Sequence, residues 1–199
     1  MPRAYNQVAR AVTSKETEEQ IAAAFLRLLK KHWFDEITLD HIAAEAGTTR
    51  QTIIRRYGGK PGVLAAFVEN MDNTIRTGRW NTPAGDIDNA ISNLVDEYEE
   101  LGPWLIRTLS LEGRFPELTA GLNQGRRGHR EWVTYIFSPW LDNLEREQRQ
   151  ERIHELIAVT DVWMWHLLRN DQELNPRKVK VLFNDMVKRL LRDDEGESL

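Results

Sequence analysis

The sequence predicts an all-α protein: an N-terminal three-helix domain that carries a helix-turn-helix, followed by a C-terminal helical bundle, about nine helices in all. Three observations predict it. Apolar residues recur at helical spacing along most of the 199-residue chain. Period-2 alternation of strand length does not occur, nor do internal repeats or low-complexity linkers. Residues 38–57, TLDHIAAEAGTTRQTIIRRY, hold two short helical patterns joined by a glycine turn.

The first helix is marked by Ile21, Ala24, Phe25, Leu28 and Leu29, which share one face. Its predicted start is Thr13-Ser14, with Glu16 three residues after Thr13 as in a capping box. Phe34 and Ile37 lie in the connection that follows and can seal a core. Leu39, Ile42, Ala43 and Ala46 give the second helix its apolar face, and the Thr38 hydroxyl stands where it can cap free N–H groups. Gly47 is the residue that most cheaply reverses a chain after a helix. Thr48 and Thr49 can cap the third helix, in which Ile53 and Tyr57 face inward. Arg50, Gln51, Thr52, Arg55 and Arg56 remain for its outer face. A short helix with three arginines, no acid and several hydrogen-bonding side chains suits the DNA major groove. Gly58-Gly59 ends it, and Lys60-Pro61 opens another helix, with proline at an allowed first-turn position. Lys60, near a helix N-terminus, is placed for a phosphate.

In order and spacing, Phe34, Thr38, Ile42-Ala43, Ala46-Gly47, Thr49, Thr52, Tyr57, Lys60, Val63-Leu64 and Phe67 resemble the N-terminal domain of the tetracycline-repressor (TetR) family of bacterial transcription regulators. The resemblance spans residues 16–67. Four positions depart from the family pattern: Trp33 and Gln51 stand where glycine is usual, Ile54 where a phosphate-touching tyrosine is usual, and Pro61 where glutamate is usual. The missing tyrosine removes one expected backbone contact, not the fold. The resemblance implies a homodimer built from the last two helices of each protomer, and a small effector bound in the body.

Charge is divided along the chain. Residues 1–60 carry 10 Lys/Arg and 7 Asp/Glu, net +3, whereas residues 61–199 are net −7. A modestly basic N-terminal region on an acidic body fits site-specific DNA binding better than general nucleic-acid affinity. The domain expectation is therefore 1–60 for DNA binding and 61–199 for ligand binding and dimerisation. With no cysteine, disulfides, thiol chemistry and cysteine zinc sites are excluded. No apolar run approaches the roughly 18 residues of a membrane span. MPRAYNQVAR lacks a signal-type apolar segment, so a soluble cytoplasmic protein is expected.

The body reads as helices at 60–79, 86–101, 104–112, 116–126, 128–147, 149–169 and 176–192, with Gly102-Pro103 a break and Pro139 a kink or split. The acidic tail 193–199 reads as disordered. In the last two helices, Ile153, Leu156, Met164, Leu182, Phe183, Met186 and Leu190 lie on broad apolar faces. These close a core, or form a dimer seam as the resemblance implies. Seven tryptophans are many for this length. Tyr98, Trp104, Phe115, Trp132 and Trp163 are candidates to line an apolar pocket, against the plainer reading as core aromatics.

Arg126-Arg127-Gly128-His129-Arg130 reads as a solvated helix start, or as an anion site. His154-Glu155 begins a zinc-protease pattern, but Ala158 ends it. The five histidines have no metal-ligand spacing, and no catalytic constellation, P-loop or dinucleotide fingerprint is present, so neither enzyme activity nor a cofactor is expected. The expected protein is a ligand-responsive repressor. It would be released from a palindromic DNA operator by a small apolar or aromatic effector. Thr49 to Tyr57 would enter the major groove, where Arg50, Gln51 and Thr52 would read base edges, while Thr38, Arg55, Arg56 and Lys60 would position the phosphates and Arg3, Arg10 and Lys15 would add backbone or minor-groove contacts. The alternative is a helical small-molecule-binding protein without DNA affinity.

Overall fold

The structure, a computed structural model, describes residues 2–192, and of residues 2–14, 72–74, 76 and 77 the backbone alone. The tail 193–199 lies outside the described residues, as do the side chains of Arg3, Arg10, Thr13 and Ser14. No strand occurs among the described residues. The helices are α1 (Pro2–Lys31), α2 (Leu39–Glu45), α3 (Arg50–Tyr57), α4 (Lys60–Arg79), α5 (Ile87–Leu111), α6 (Pro116–Ile136), α7 (Ser138–Leu141), α8 (Arg146–Thr160), α9 (Val162–His166) and α10 (Pro176–Arg192). A 3-10 turn covers Phe34–Glu36, and a π-helical turn, Leu167–Asp171, follows α9.

The chain forms two compact units: residues up to 71 together with 110–121, and 72–109 together with 122 onward. The first unit is built around Ile21, Phe25, Phe34, Ile37, Ile42 and Ile53, all essentially inaccessible to solvent. Phe25 meets Phe67 edge-on at 5.3 Å between ring centres, and Phe34 meets Phe115 at 5.8 Å. Arg27 of α1 pairs with the Glu45 carboxylate and donates to the Glu45 carbonyl (3.1 Å), tying α1 to the end of α2. The second unit packs Ile91, Leu94, Val95, Tyr98, Trp132, Val133, Phe137, Leu156, Val179, Phe183 and Val187 into one core.

Several helix boundaries differ from those expected. α1 begins at Pro2 and runs through Thr13 and Ser14 instead of starting there. α5 is continuous through Gly102-Pro103 because its apolar stripe continues on both sides: Leu94, Val95, Tyr98, Leu101 and Ile106 are all buried. An interior proline costs about 3 kcal/mol. Burying side chains on two further turns exceeds that cost, at about 1.5–3 kcal/mol each. α6 likewise runs unbroken across Gly125 and Gly128. The basic run at 126–130 is therefore mid-helix, and His129 is buried. Pro139 splits the following helix, as expected, and sits in the first turn of α7. The expected helix 149–169 is broken at Asp161, whose extended backbone (φ −72°, ψ 153°) lets its carboxylate accept from the Trp163 N–H (2.9 Å) and cap α9.

Gly102 sits under the Trp165 indole. A Cβ there would lie 2.4 Å from the ring carbon Cζ3. Alanine is favoured over glycine within a helix by about 1 kcal/mol, but the buried ring has no free side on which to retreat. Gly102→Ala is expected to destabilise the second unit by about 1–3 kcal/mol, read as a fall in the urea midpoint at unchanged m-value. A stability gain would show that Trp165 yields freely.

Candidate functional site

The helix-turn-helix is fixed by its caps. Thr38 Oγ1 accepts from the His41 N–H (3.2 Å) at the start of α2. Gly47 takes the left-handed conformation (φ 63°), and the Thr48 N–H returns to the Ala43 carbonyl (2.9 Å). Thr49 Oγ1 then accepts from the Thr52 N–H (3.1 Å), and the Thr49 and Thr52 hydroxyls are 2.9 Å apart. Gly58, again left-handed (φ 74°), closes α3 with its N–H on the Ile54 carbonyl. Ile53 is fully buried, which sets the rotation of α3 about its axis.

That rotation exposes Arg50, Gln51, Ile54 and Arg55. Arg50 Nη1 donates to Asp40 Oδ2 of α2 (3.1 Å), with both side chains open to solvent. Arg56 is turned back toward α1, where it pairs with Glu18 at 3.5 Å. Lys60 is half-buried: its ammonium donates to the Phe34 carbonyl and lies 4.0 Å from the centre of the Phe34 ring. Burial pulls the Lys60 pKa below the usual lysine range, against the field of Asp35 and Glu117. Arg56 and Lys60 are therefore engaged within the unit, which lengths of aliphatic stem did not reveal. Thr38 and Thr49 are exposed and spend a lone pair on capping. Thr52 is half-exposed.

The five aromatics expected to line one pocket are divided between the two units. Phe115 lies in the first unit against Phe34. Trp163 is 49% exposed, because Asp161 starts a new helix just before it. Trp104 is half-buried on α5. Tyr98 and Trp132 are buried in the second unit's core. There they flank a polar layer that the sequence did not disclose. Arg79 forms two bonds to Glu97 (2.9 and 2.7 Å) and reaches His129 Nδ1 (3.1 Å). A guanidinium only donates, so Nδ1 is the acceptor and the His129 proton is on Nε2, 3.0 Å from Thr160 Oγ1. The Thr160 hydroxyl donates onward to the Leu156 carbonyl (2.6 Å), and the Tyr98 hydroxyl donates to the Thr160 carbonyl (3.0 Å). Trp132 stacks on the His129 ring at 5.5 Å.

The seam residues also separate into two groups. Ile153, Leu156 and Phe183 are consumed by the unit's own core. Met164, Leu182, Met186 and Leu190 are half-buried, and Trp163, Leu167 and Val181 stand exposed. Helical periodicity alone could not distinguish the inward edge of such wide faces from the outward one. Among the described residues, no helix is long and apolar enough to cross a membrane.

Two capped helices joined by a left-handed glycine, with an exposed arginine-bearing face on the second, define a helix-turn-helix protein. Residues 21–67 match the family model of bacterial regulatory proteins named tetR. Similar over 55 residues, at 42% identity, are uncharacterised helix-turn-helix transcriptional regulators of Mycobacterium tuberculosis and Mycobacterium bovis. Those matches span 27% of this chain and 27% of the relatives' length. The fold extends further. A TetR-family regulator from Streptomyces coelicolor superposes with a TM-score of 0.68 at 22% identity, covering 97% of this chain and 96% of its own. A protein solved as a SmeT–triclosan complex superposes with a TM-score of 0.68 at 18% identity, covering 87% and 90%.

Burial, and then the Arg79 charge, pulls the His129 pKa down to about 3, so the ring is neutral in the folded state. Unfolded, it titrates near about 6.5. Between these values the unfolded chain binds a proton that the native one refuses. Stability is complete above the unfolded value and is lost as pH falls toward the folded one. From pH 7 to pH 5 this group alone should remove about 2 kcal/mol of unfolding free energy. Urea titrations at the two pH values should show a shallower loss for His129→Gln; equal losses would place the proton elsewhere.

Proposed function

We propose that the chain is a TetR-family transcription regulator, most simply a repressor, that binds a two-fold DNA operator as a homodimer and releases it when a small apolar or aromatic molecule binds the C-terminal region. The observation that carries the reading is the outward face of α3, where Arg50, Gln51 and Arg55 are exposed on a helix locked by Ile53 and Thr49. The first-turn residues of such a helix reach base edges. The Thr38 hydroxyl keeps a proton to donate to phosphate, and the Thr49 hydroxyl does so when Thr52 is the donor in the bond between their hydroxyls. Arg50 is held by an exposed pair with Asp40, worth about 0.2–1 kcal/mol, which a guanine edge can displace. In this reading residues 1–60 bind DNA and residues 61–199 bind effector and partner, in the cytoplasm.

The effector reading draws support from the fold neighbour solved with triclosan. A ligand that favours one separation of two recognition helices weakens DNA binding by reciprocal linkage, with about 1–3 kcal/mol giving roughly 5- to 150-fold. The dimer reading draws support from the exposed Trp163, Leu167 and Val181, beside half-buried Met164, Leu182, Met186 and Leu190.

Selection from random duplexes should yield a near-palindrome with half-sites about one helical turn, or a multiple, apart. Arg50→Ala should relax preference at one position per half-site, at about 1–3 kcal/mol. Selection of no sequence by the intact chain would refute DNA reading.

The two classes of seam residue should behave differently. Met186→Asp should give a helical monomer with reduced operator affinity. Phe183→Asp, which buries a charge in the core, should instead unfold the second unit. Sedimentation and circular dichroism distinguish these outcomes. A micromolar monomer of the unmodified chain would overturn the homodimer.

A further inference from the structure

Ile54 is 40% exposed, although its neighbour Ile53 is wholly buried. It lies four residues after Arg50 and three after Gln51, so the three side chains share one face of α3. Arg55, the next residue, is exposed beside it. An aliphatic side chain left in water on this face contributes little to the fold, and a polar residue would serve the surface better. Its surroundings are two guanidinium groups and an amide, a rim that favours a polyanion over an apolar protein partner.

We infer that Ile54 selects thymine: its side chain packs on the C5-methyl group of a thymine in the major groove, next to the base pairs reached by Arg50 and Gln51. Among the four bases, only thymine presents an apolar group on that edge. Adenine, guanine and cytosine offer hydrogen-bonding groups that an isoleucine cannot satisfy. The inference rests on the DNA-binding reading above and adds a base identity to it.

The test uses the full chain and the operator selected with it. Each thymine is replaced in turn by deoxyuridine, which lacks only the methyl group, and affinity is measured by fluorescence anisotropy. One thymine per half-site should show about a fourfold loss, the equivalent of about 0.8 kcal/mol for one methyl-sized group removed from contact. Ile54→Ala should bind the thymine and deoxyuridine duplexes within about twofold of each other, whereas Ile54→Val should keep most of the discrimination. Both variants should retain the helical circular dichroism of the unmodified chain, because the site is exposed.

A deoxyuridine penalty at no position, or one that Ile54→Ala leaves unchanged, would overturn the inference while leaving DNA binding intact. If Ile54→Ala altered self-association instead of thymine sensitivity, Ile54 would face protein and the inference would also fall. Failure of the intact chain to select any operator would overturn the DNA reading and this inference with it.

Discussion

With Ile53 sealed in the first unit's core and the Thr49 hydroxyl closing the start of α3, that helix has one rotational setting. Everything it offers to a partner follows from that setting. Residues 50, 51, 54 and 55 face out because 53 cannot, and Gly58 ends the helix before a further turn is exposed. The setting is reinforced from α4. A Cβ on Gly62 would come within 1.8 Å of the Tyr57 carbonyl oxygen, so α3 and α4 approach at a distance only glycine permits. A helix of eight residues has little stability of its own. Its geometry is imposed by caps, one buried isoleucine and that close approach.

The helix-turn-helix was legible because its signals are local. Capping threonines, a left-handed glycine and an inward isoleucine act within a few residues of where they stand. What was illegible depended on distant partners. Arg56 pairs with Glu18 and the Lys60 ammonium donates to the Phe34 carbonyl, partners 38 and 26 residues away that no local signal announces. Pro103 and Gly128 looked like breaks because propensity is local, whereas the burial that overrides it is set by the packing of α5 and α6 within their units. The apolar faces of α8 and α10 were visible in the sequence, yet their inner and outer edges differ only by a rotation of one residue. Phe183 and Leu182 are adjacent in sequence, and one is buried while the other is half-exposed.

The second unit carries its polarity inside as well as outside. Arg79, Glu97, His129, Thr160 and Tyr98 form a chain of donors and acceptors between apolar layers. Such a network costs desolvation, and the loss of one member leaves the others unsatisfied. It therefore favours a particular arrangement of α4, α5, α6 and α8 over alternatives with equally good apolar burial. A second set, Glu99 with Arg169 and Trp165 Nε1 (2.7 Å each), links α5 to α9 and the π-helical turn, where sequence periodicity is interrupted.

Residues 110–121 return to the first unit after a long excursion, bringing Leu111, Phe115 and Leu118 back to it. Val68 of α4 meets this segment at Gly121, where a Cβ would lie 2.7 Å from a valine methyl carbon. The first unit is thus not encoded as one continuous stretch of gene. A hybrid made by joining residues up to 71 to another protein's body would leave part of the first core behind, and Phe34 would lose its aromatic neighbour. Grafting the first unit elsewhere requires both of its segments. Recombination that shuffles such proteins at a single crossover is correspondingly penalised, so the two units are constrained to be inherited together.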